Sequence, residues 1–529
     1  MRRSPLAWLA VAAACAVLAP LLALIWVAAQ PGAPDSLSHL ASTVLPRYVV
    51  TSVALVASVA LCVLLLGVGA GWLVAAFEFP GRRLLEVAMI LPLAMPAFVL
   101  AYAYTDFLDT SGPLQSALRA WTGWPIGSYW FPQVRSLPGA ALFLSLALYP
   151  YVYMLARNAF AERSQSLAEA AQSLGLPRAR VWWHVTWPVA RPAVVAGCTL
   201  VMMETLADFG TVNFFAVDTF SAGIFRAWQA LGDRVAAARL ALVLLAAVLL
   251  LVWLERSQRG RMAFYARAAR PARPRRLRGL AATAAFVGCL TPVLFGFVLP
   301  SILLVRAWLA QGGAIDARLL GWAANTAMLS AWAVALIVPL ALGMAYAARV
   351  VATRWMSTLV AVAASGYAIP GIVLGVGLLG VVGVVEHTLA GHMQGLLVGG
   401  TAVAVVYAYC VRFFAVAQHG LDASLKRISP SMDASARTLG AGQAEVLRRV
   451  HWPLLRPSVA TAALLVFVDC LKELPATLVL RPFNFDTLAV VAYNFAADER
   501  LGEAALPSLV IVLVGLGPVT VLARSFRRR

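Results

Sequence analysis

A short polar pattern occurs twice in this chain, half a chain length apart. The first copy reads Glu169-Ala170-Ala171, then Gly175, then Val185-Thr186-Trp187-Pro188; the second reads Ala434-Ser435-Ala436, then Gly440, then Val450-His451-Trp452-Pro453. In each copy the glycine precedes the proline by thirteen residues, and 265 residues separate Pro188 from Pro453 in a chain of 529. Such a chain is constrained to fold as two related halves that carry the same polar segment at the same place.

The medium around those halves follows from the apolar runs. Hydrophobic residues make up 62% of the chain and charged residues only 12%, against about 25% charged in a soluble domain. Many runs exceed the roughly 20 residues needed to cross a bilayer. Twelve spans are expected. Six lie near 6–29, 49–77, 84–106, 138–157, 189–211 and 237–254; six more lie near 280–309, 321–348, 356–385, 395–418, 457–480 and 505–524. The fold class is therefore an all-α polytopic membrane protein of two six-helix repeats, 1–255 and 280–529, joined by an Arg-rich linker at 256–279. The run at the N-terminus is too long for a signal peptide and reads as a retained first span.

The net charge of +19 does not point to nucleic acid. Basic residues gather in alternate loops, as the positive-inside rule expects, which places both termini in the cytoplasm of a bacterial cell. The linker from Arg256 to Arg278 is the densest cluster and suits anionic lipid heads. The six cysteines sit in or beside apolar runs with no C-x-x-C pair, so they read as buried hydrophobes. His387 and His392 share one loop, which is weak support for a metal site.

The repeat extends further. Met95-Pro96-Ala97-Phe98-Val99-Leu100 parallels Ile369-Pro370-Gly371-Ile372-Val373-Leu374, here at an offset of 274. The extra nine residues fall in the 107–137 loop, whose Trp121, Trp124, Tyr129 and Trp130 suit an interfacial surface. With six spans per half, the copies share one orientation about an axis along the membrane normal.

Within the first polar copy, Gly175 fits the left-handed position that ends a helix. Pro177 suits the first turn of a second helix. Pro188 and Pro192 are expected to mark where the fifth span begins. Two short helices meeting at a glycine make a protrusion that suits a groove on a partner protein.

These residues resemble the EAA loop of ABC importer permeases. The first copy fits through Glu169, Ala170, Ala171, Gly175 and Pro188; the second fits through Ala436, Gly440 and Pro453, with Ala434 at the Glu position and Asp433 one residue earlier. The resemblance implies a type I permease fold, and a loop that docks on a cytoplasmic ABC ATPase present in two copies. It also implies a periplasmic substrate-binding protein, with ATP and Mg held by the ATPase. No G-x-x-x-x-G-K followed by Ser or Thr occurs here, so the phosphate loop must come from that partner. No catalytic constellation is visible, and none is expected.

Ionisable groups inside spans are functional candidates. Glu204 and Asp208 lie four apart, as do Asp469 and Glu473, and the two pairs are related by 265 residues, with Lys472 beside the second. Each pair shares one helix face. These five residues are candidates for a translocation pathway, and the four carboxylates suit transient contact with a hard cation. Local ion pairing is the competing structural role. The segments Glu204–Thr211, Thr219–Trp228, Leu471–Leu478, Arg481–Phe483 and Asp486–Leu488 are similar to those of ferric-iron permeases. Thiamine, phosphonate and sulfate permeases are neighbouring possibilities. An ion-coupled secondary transporter is the alternative class, since it also has parallel six-helix repeats and a loop like Glu78-Phe79-Pro80-Gly81-Arg82-Arg83.

Overall fold

The computed structural model describes residues 5–31, 40–161, 171–259, 274–351, 353–389 and 402–527. Among the described residues, ten helices are long and apolar enough to span a membrane, and two bent pairs bring the number to as many as twelve. The first half supplies Ala7–Ala28, Ser42–Ala76, Leu137–Ala161, Ala179–Ala207 and Arg234–Ser257. The second supplies Leu280–Ala310, Leu319–Val351, Ala402–Lys426, Gln443–Leu471 and Leu501–Val521.

The bent pairs correct the expectation of unbroken spans at 84–106 and 356–385. Arg82–Ala94 and Ala97–Thr122 meet at 90°, and Arg354–Ala368 and Gly371–Gly383 meet at 111°. Both breaks fall at the paired prolines. A proline forces its predecessor out of the helical region, and Met95 (ψ 105°) and Ile369 (ψ 119°) are both extended. The apolar pattern continues across each break, so hydropathy alone could not reveal it.

The fifth and eleventh spans are also corrected. The helix of the polar loop and the following span are one element in each half, running Ala179–Ala207 and Gln443–Leu471. Pro188 and Pro453 lie inside these helices. A proline lacks the N–H for the usual bond and crowds the carbonyl four residues back. Both helices adjust with a wide turn just before it: the Trp187 N–H reaches the Trp182 carbonyl, and the Trp452 N–H reaches the Leu447 carbonyl. These are five-residue steps of the π type.

The chain packs as two compact units, and neither is a continuous half. One comprises 1–37, 224–245 and 316–491; the other comprises 38–223, 246–315 and 492–529. In the first unit Leu319–Val351 packs on Ala402–Lys426, and the N-terminal helix Pro5–Ala28 lies on Arg354–Ala364 and Gly371–Leu389. In the second unit Leu137–Ala161 is the central helix, with Tyr149 and Tyr153 fully buried. Leu299–Ala310 and Leu501–Arg527 pack on each other there. Each unit thus contains the first helix of the other sequence repeat. The division 1–255, 256–279, 280–529 expected from the sequence repeat is a separate matter from this grouping in space.

Candidate functional site

The two polar loops fold alike around their glycines. Gly175 has φ +84° and Gly440 has φ +86°, a region that L side chains rarely adopt. Around the first, Leu176 N–H donates to the Ala171 carbonyl at 3.1 Å and Gly175 N–H to Gln172 at 2.9 Å. Around the second, Ala441 N–H donates to Ala436 at 3.1 Å and Gly440 N–H to Arg437 at 3.0 Å. Both are Schellman closures, related by the 265-residue offset. Ala171 and Ala436 therefore contribute the carbonyls that end the first helix. Glu169 and Ala170 lie outside the described residues.

At the tip of each elbow, just before the glycine, a leucine stands in solvent. Leu174 is 84% exposed and Leu439 is 88% exposed. They too differ by 265 residues. An exposed apolar residue thus recurs at the same place in both copies.

The second elbow is tied down by a node of buried polar side chains. Asp433 turns inward. Its Oδ2 accepts from Arg349 Nε at 2.8 Å, and its Oδ1 lies 2.7 Å from Nε2 of the fully buried His451. Arg349 also donates to the Leu425 carbonyl at 2.6 Å and the Ile428 carbonyl at 2.9 Å. Tyr346 Oη donates to the Gln443 carbonyl at 2.6 Å. Burial alone would raise the Asp433 pKa, but the hydrogen bonds and charges of Arg349 and His451 outweigh it and hold the carboxyl below its ordinary value. In the first half, the positions matching Asp433 and His451 are Ala168 and Thr186, so those two side chains are not repeated there.

The candidate pathway acids sit where the long helices end. Helix Trp187–Ala207 stops at Asp208, whose Oδ1 accepts from Thr211 N and Val212 N at 3.1 Å, while Oδ2 accepts from Thr211 Oγ1 at 3.1 Å. Helix Trp452–Leu471 stops before Glu473. There Oε1 accepts from Ala476 N at 3.1 Å, and Oε2 accepts from Thr477 N at 3.0 Å and Thr477 Oγ1 at 2.8 Å. The two acids thus cap equivalent short helices, Gly210–Phe214 and Pro475–Leu480. Capping carboxylates favour helix N-termini.

Their environments then diverge. Glu473 has a side chain only 2% exposed and pairs with Arg412 at 3.0 Å. Asp469 pairs with Lys472 at 2.9 Å. Glu204 is half-buried. Among the described residues no three His, Cys, Asp or Glu side chains converge as a metal site. The sequence pattern contains His451 but does not reveal its pairing with Asp433 or that of Asp433 with Arg349, and it does not point to Arg412 as a partner of Glu473, although an arginine within the apolar run 395–418 is a visible signal. The side chain of His387 and all of His392 lie outside what is described.

Comparison with known proteins bears on these loops. Residues 67–262 match the family described as binding-protein-dependent transport system inner membrane component, and this stretch contains the first elbow. Over 520 residues the chain is 26% identical to the Fe(3+)-transport system permease protein of Haemophilus influenzae, covering 96% of this chain and 95% of that protein. The chain is an ABC importer permease. It has the two-repeat length of its ferric relative, and such a permease works with an ATPase and a substrate-binding protein. The permease is also 28% identical over 205 residues to the molybdenum transport system permease protein of Escherichia coli, covering 37% of this chain and 86% of that protein. It is 29% identical over 188 residues to the sulfate transport system permease protein of Salmonella typhimurium, covering 34% of this chain and 65% of that protein.

Proposed function

We propose that this permease imports ferric iron across a bacterial inner membrane by alternating access, as the membrane subunit of an ATP-hydrolysing translocase. The observation that carries the substrate is the reach of the likeness. The ferric relative is similar over 96% of this chain and shares its two-repeat length, a layout that the shorter molybdenum and sulfate relatives, similar over 37% and 34% of this chain, do not have. Asp469 and Glu473 are paired with Lys472 and Arg412 and Asp208 is held as a helix cap, so the choice of substrate does not rest on these acids.

Two copies of the ATPase hold ATP and Mg and grip the elbows at Leu174 and Leu439. Both termini lie on that cytoplasmic side. A periplasmic binding protein delivers iron to the 107–137 face, where Trp121 and Trp130 are exposed. Ala179–Ala207 is a continuous helix of 29 residues, about 43 Å long at 1.5 Å per residue. It carries movement of the first elbow to Glu204 and the Asp208 cap without an intervening loop. Gln443–Leu471 does the same toward Asp469, Lys472 and Glu473.

The test is uptake by a deletion strain that regains this permease with its partners. Labelled ferric ion should accumulate, and labelled molybdate, sulfate and thiamine should stay at background. Saturable uptake of one of those three with no iron uptake would refute the substrate.

A further inference from the structure

The two elbows differ at the foot of the second helix. In the first half this place is filled by indole rings. Trp182 stacks on Trp187 with ring centroids 5.7 Å apart, Trp183 meets Trp182 at 4.6 Å, and Trp72 meets Trp182 at 6.0 Å. Shifting by the repeat offsets puts Leu447, Arg448 and Trp452 at the positions of Trp182, Trp183 and Trp187, and Tyr346 at that of Trp72. Two of the four rings are gone. In their stead the second half has an open cavity of about 480 Å³, lined by Leu342, Ala444, Leu447, Arg448, Trp452 and Arg456.

The lining has two chemistries. Arg448 and Arg456 are exposed, and neither forms an ion pair with a described residue. The neighbouring Arg449, by contrast, pairs with Glu445 at 3.1 Å. Ala444, Arg448, Trp452 and Arg456 recur every four residues, so they run down one side of the helix. The opposite wall is Leu342, inside the span Leu319–Val351. It lies nine residues from the end of that span, or about 13 Å along the axis. The cavity therefore reaches from the arginines into the apolar slab. Trp452 is 38% exposed and Leu454 is 51% exposed, which is the surface expected to meet lipid.

We propose that this cavity binds an anionic phospholipid from the leaflet on the elbow side, with the phosphate on Arg448 and Arg456 and an acyl chain along Leu342, Leu447 and Trp452. Basic pockets beside spans on one membrane face are suited to such headgroups. A soluble anion would use the arginines but not the apolar wall. The ATPase is a weaker fit, because the exposed leucines that suit it stand at the elbow tip, away from the bilayer.

The full-length permease is purified in mild detergent and equilibrated with phosphatidylglycerol or phosphatidylcholine, and retained lipid is counted by native mass spectrometry. Wild type should retain phosphatidylglycerol preferentially. Arg448→Gln with Arg456→Gln should weaken that retention roughly tenfold or more. Leu447→Trp with Arg448→Trp restores the residues of the first half and should abolish retention while the unfolding temperature holds or rises. That second pair keeps a folding defect from imitating the result. Equal retention by wild type and both variants would overturn the proposal. So would stabilisation by inorganic phosphate equal to that by phosphatidylglycerol, which would mark a soluble-anion site. Loss of ATPase co-elution with lipid retention intact would overturn it in favour of a protein-docking surface.

Discussion

Arg412 and Glu473 form a buried ion pair, 3.0 Å from Nη1 to Oε1, at the point where the eleventh span ends. The same carboxylate caps Pro475–Leu480. Removing one partner strands the other in a low-dielectric site, at a cost of about 3–5 kcal/mol. Glu473→Ala should therefore lower the unfolding temperature markedly and abolish transport. The double change Arg412→Met with Glu473→Met should recover much of the stability but not the transport. A thermal unfolding series in detergent with uptake measured alongside checks both. If the double variant is as unstable as Glu473→Ala, the pair is not the source of the defect.

Gly371 is fixed by that ion pair. A Cβ added there would clash with Arg412 Nη1 and lie 2.6 Å from Glu473 Oε1. The equivalent position in the first half is Ala97, and Asp208 there has no described arginine partner. Gly371→Ala should cost about 1–3 kcal/mol through overpacking. In the Arg412→Met, Glu473→Met background the same change should be nearly neutral. An equal penalty in both backgrounds would show that the glycine serves the backbone bend instead.

Much of this organisation was legible in the sequence because it depends on local pattern. The apolar runs, the duplicated elbow and the Gly175 and Gly440 caps all arise from residues within about one loop of each other. What stayed hidden depends on distance along the chain or on proline context. Arg349 meets Asp433 across 84 residues, and Arg412 meets Glu473 across 61. The prolines at 96 and 370 break a span, whereas those at 188 and 453 are absorbed by a wide helical turn. Proline identity alone does not distinguish these outcomes. The difference lies in whether the preceding residue is extended or helical.

The node at Asp433 makes a pH prediction. Its carboxyl is held below the ordinary value of 3.8, so its charged form is favoured by folding. The stability it contributes is fully present above 3.8 and is lost as pH falls below that toward the lowered value. Asp433→Asn should cost about 1.5–3 kcal/mol near neutral pH, the scale of hydrogen bonds to a charged group. The gap between wild type and variant should stay constant down to about pH 4 and then narrow. Chemical unfolding at a series of pH values reads this directly. A gap that widens with acid would mean that the carboxylate opposes the fold.

The exposed leucines give the sharpest test of coupling to the ATPase. Leu174 and Leu439 bury almost nothing in the permease itself, so Leu174→Ser or Leu439→Ser should change its stability by less than about 0.5 kcal/mol. Covering one leucine in a partner groove is worth about 1.5–3 kcal/mol, which corresponds to roughly 10- to 150-fold in affinity. Each single variant should therefore weaken ATPase co-elution by at least about tenfold, and the double variant should lose the complex. Unchanged co-elution in the double variant would remove the elbow tips from the docking surface.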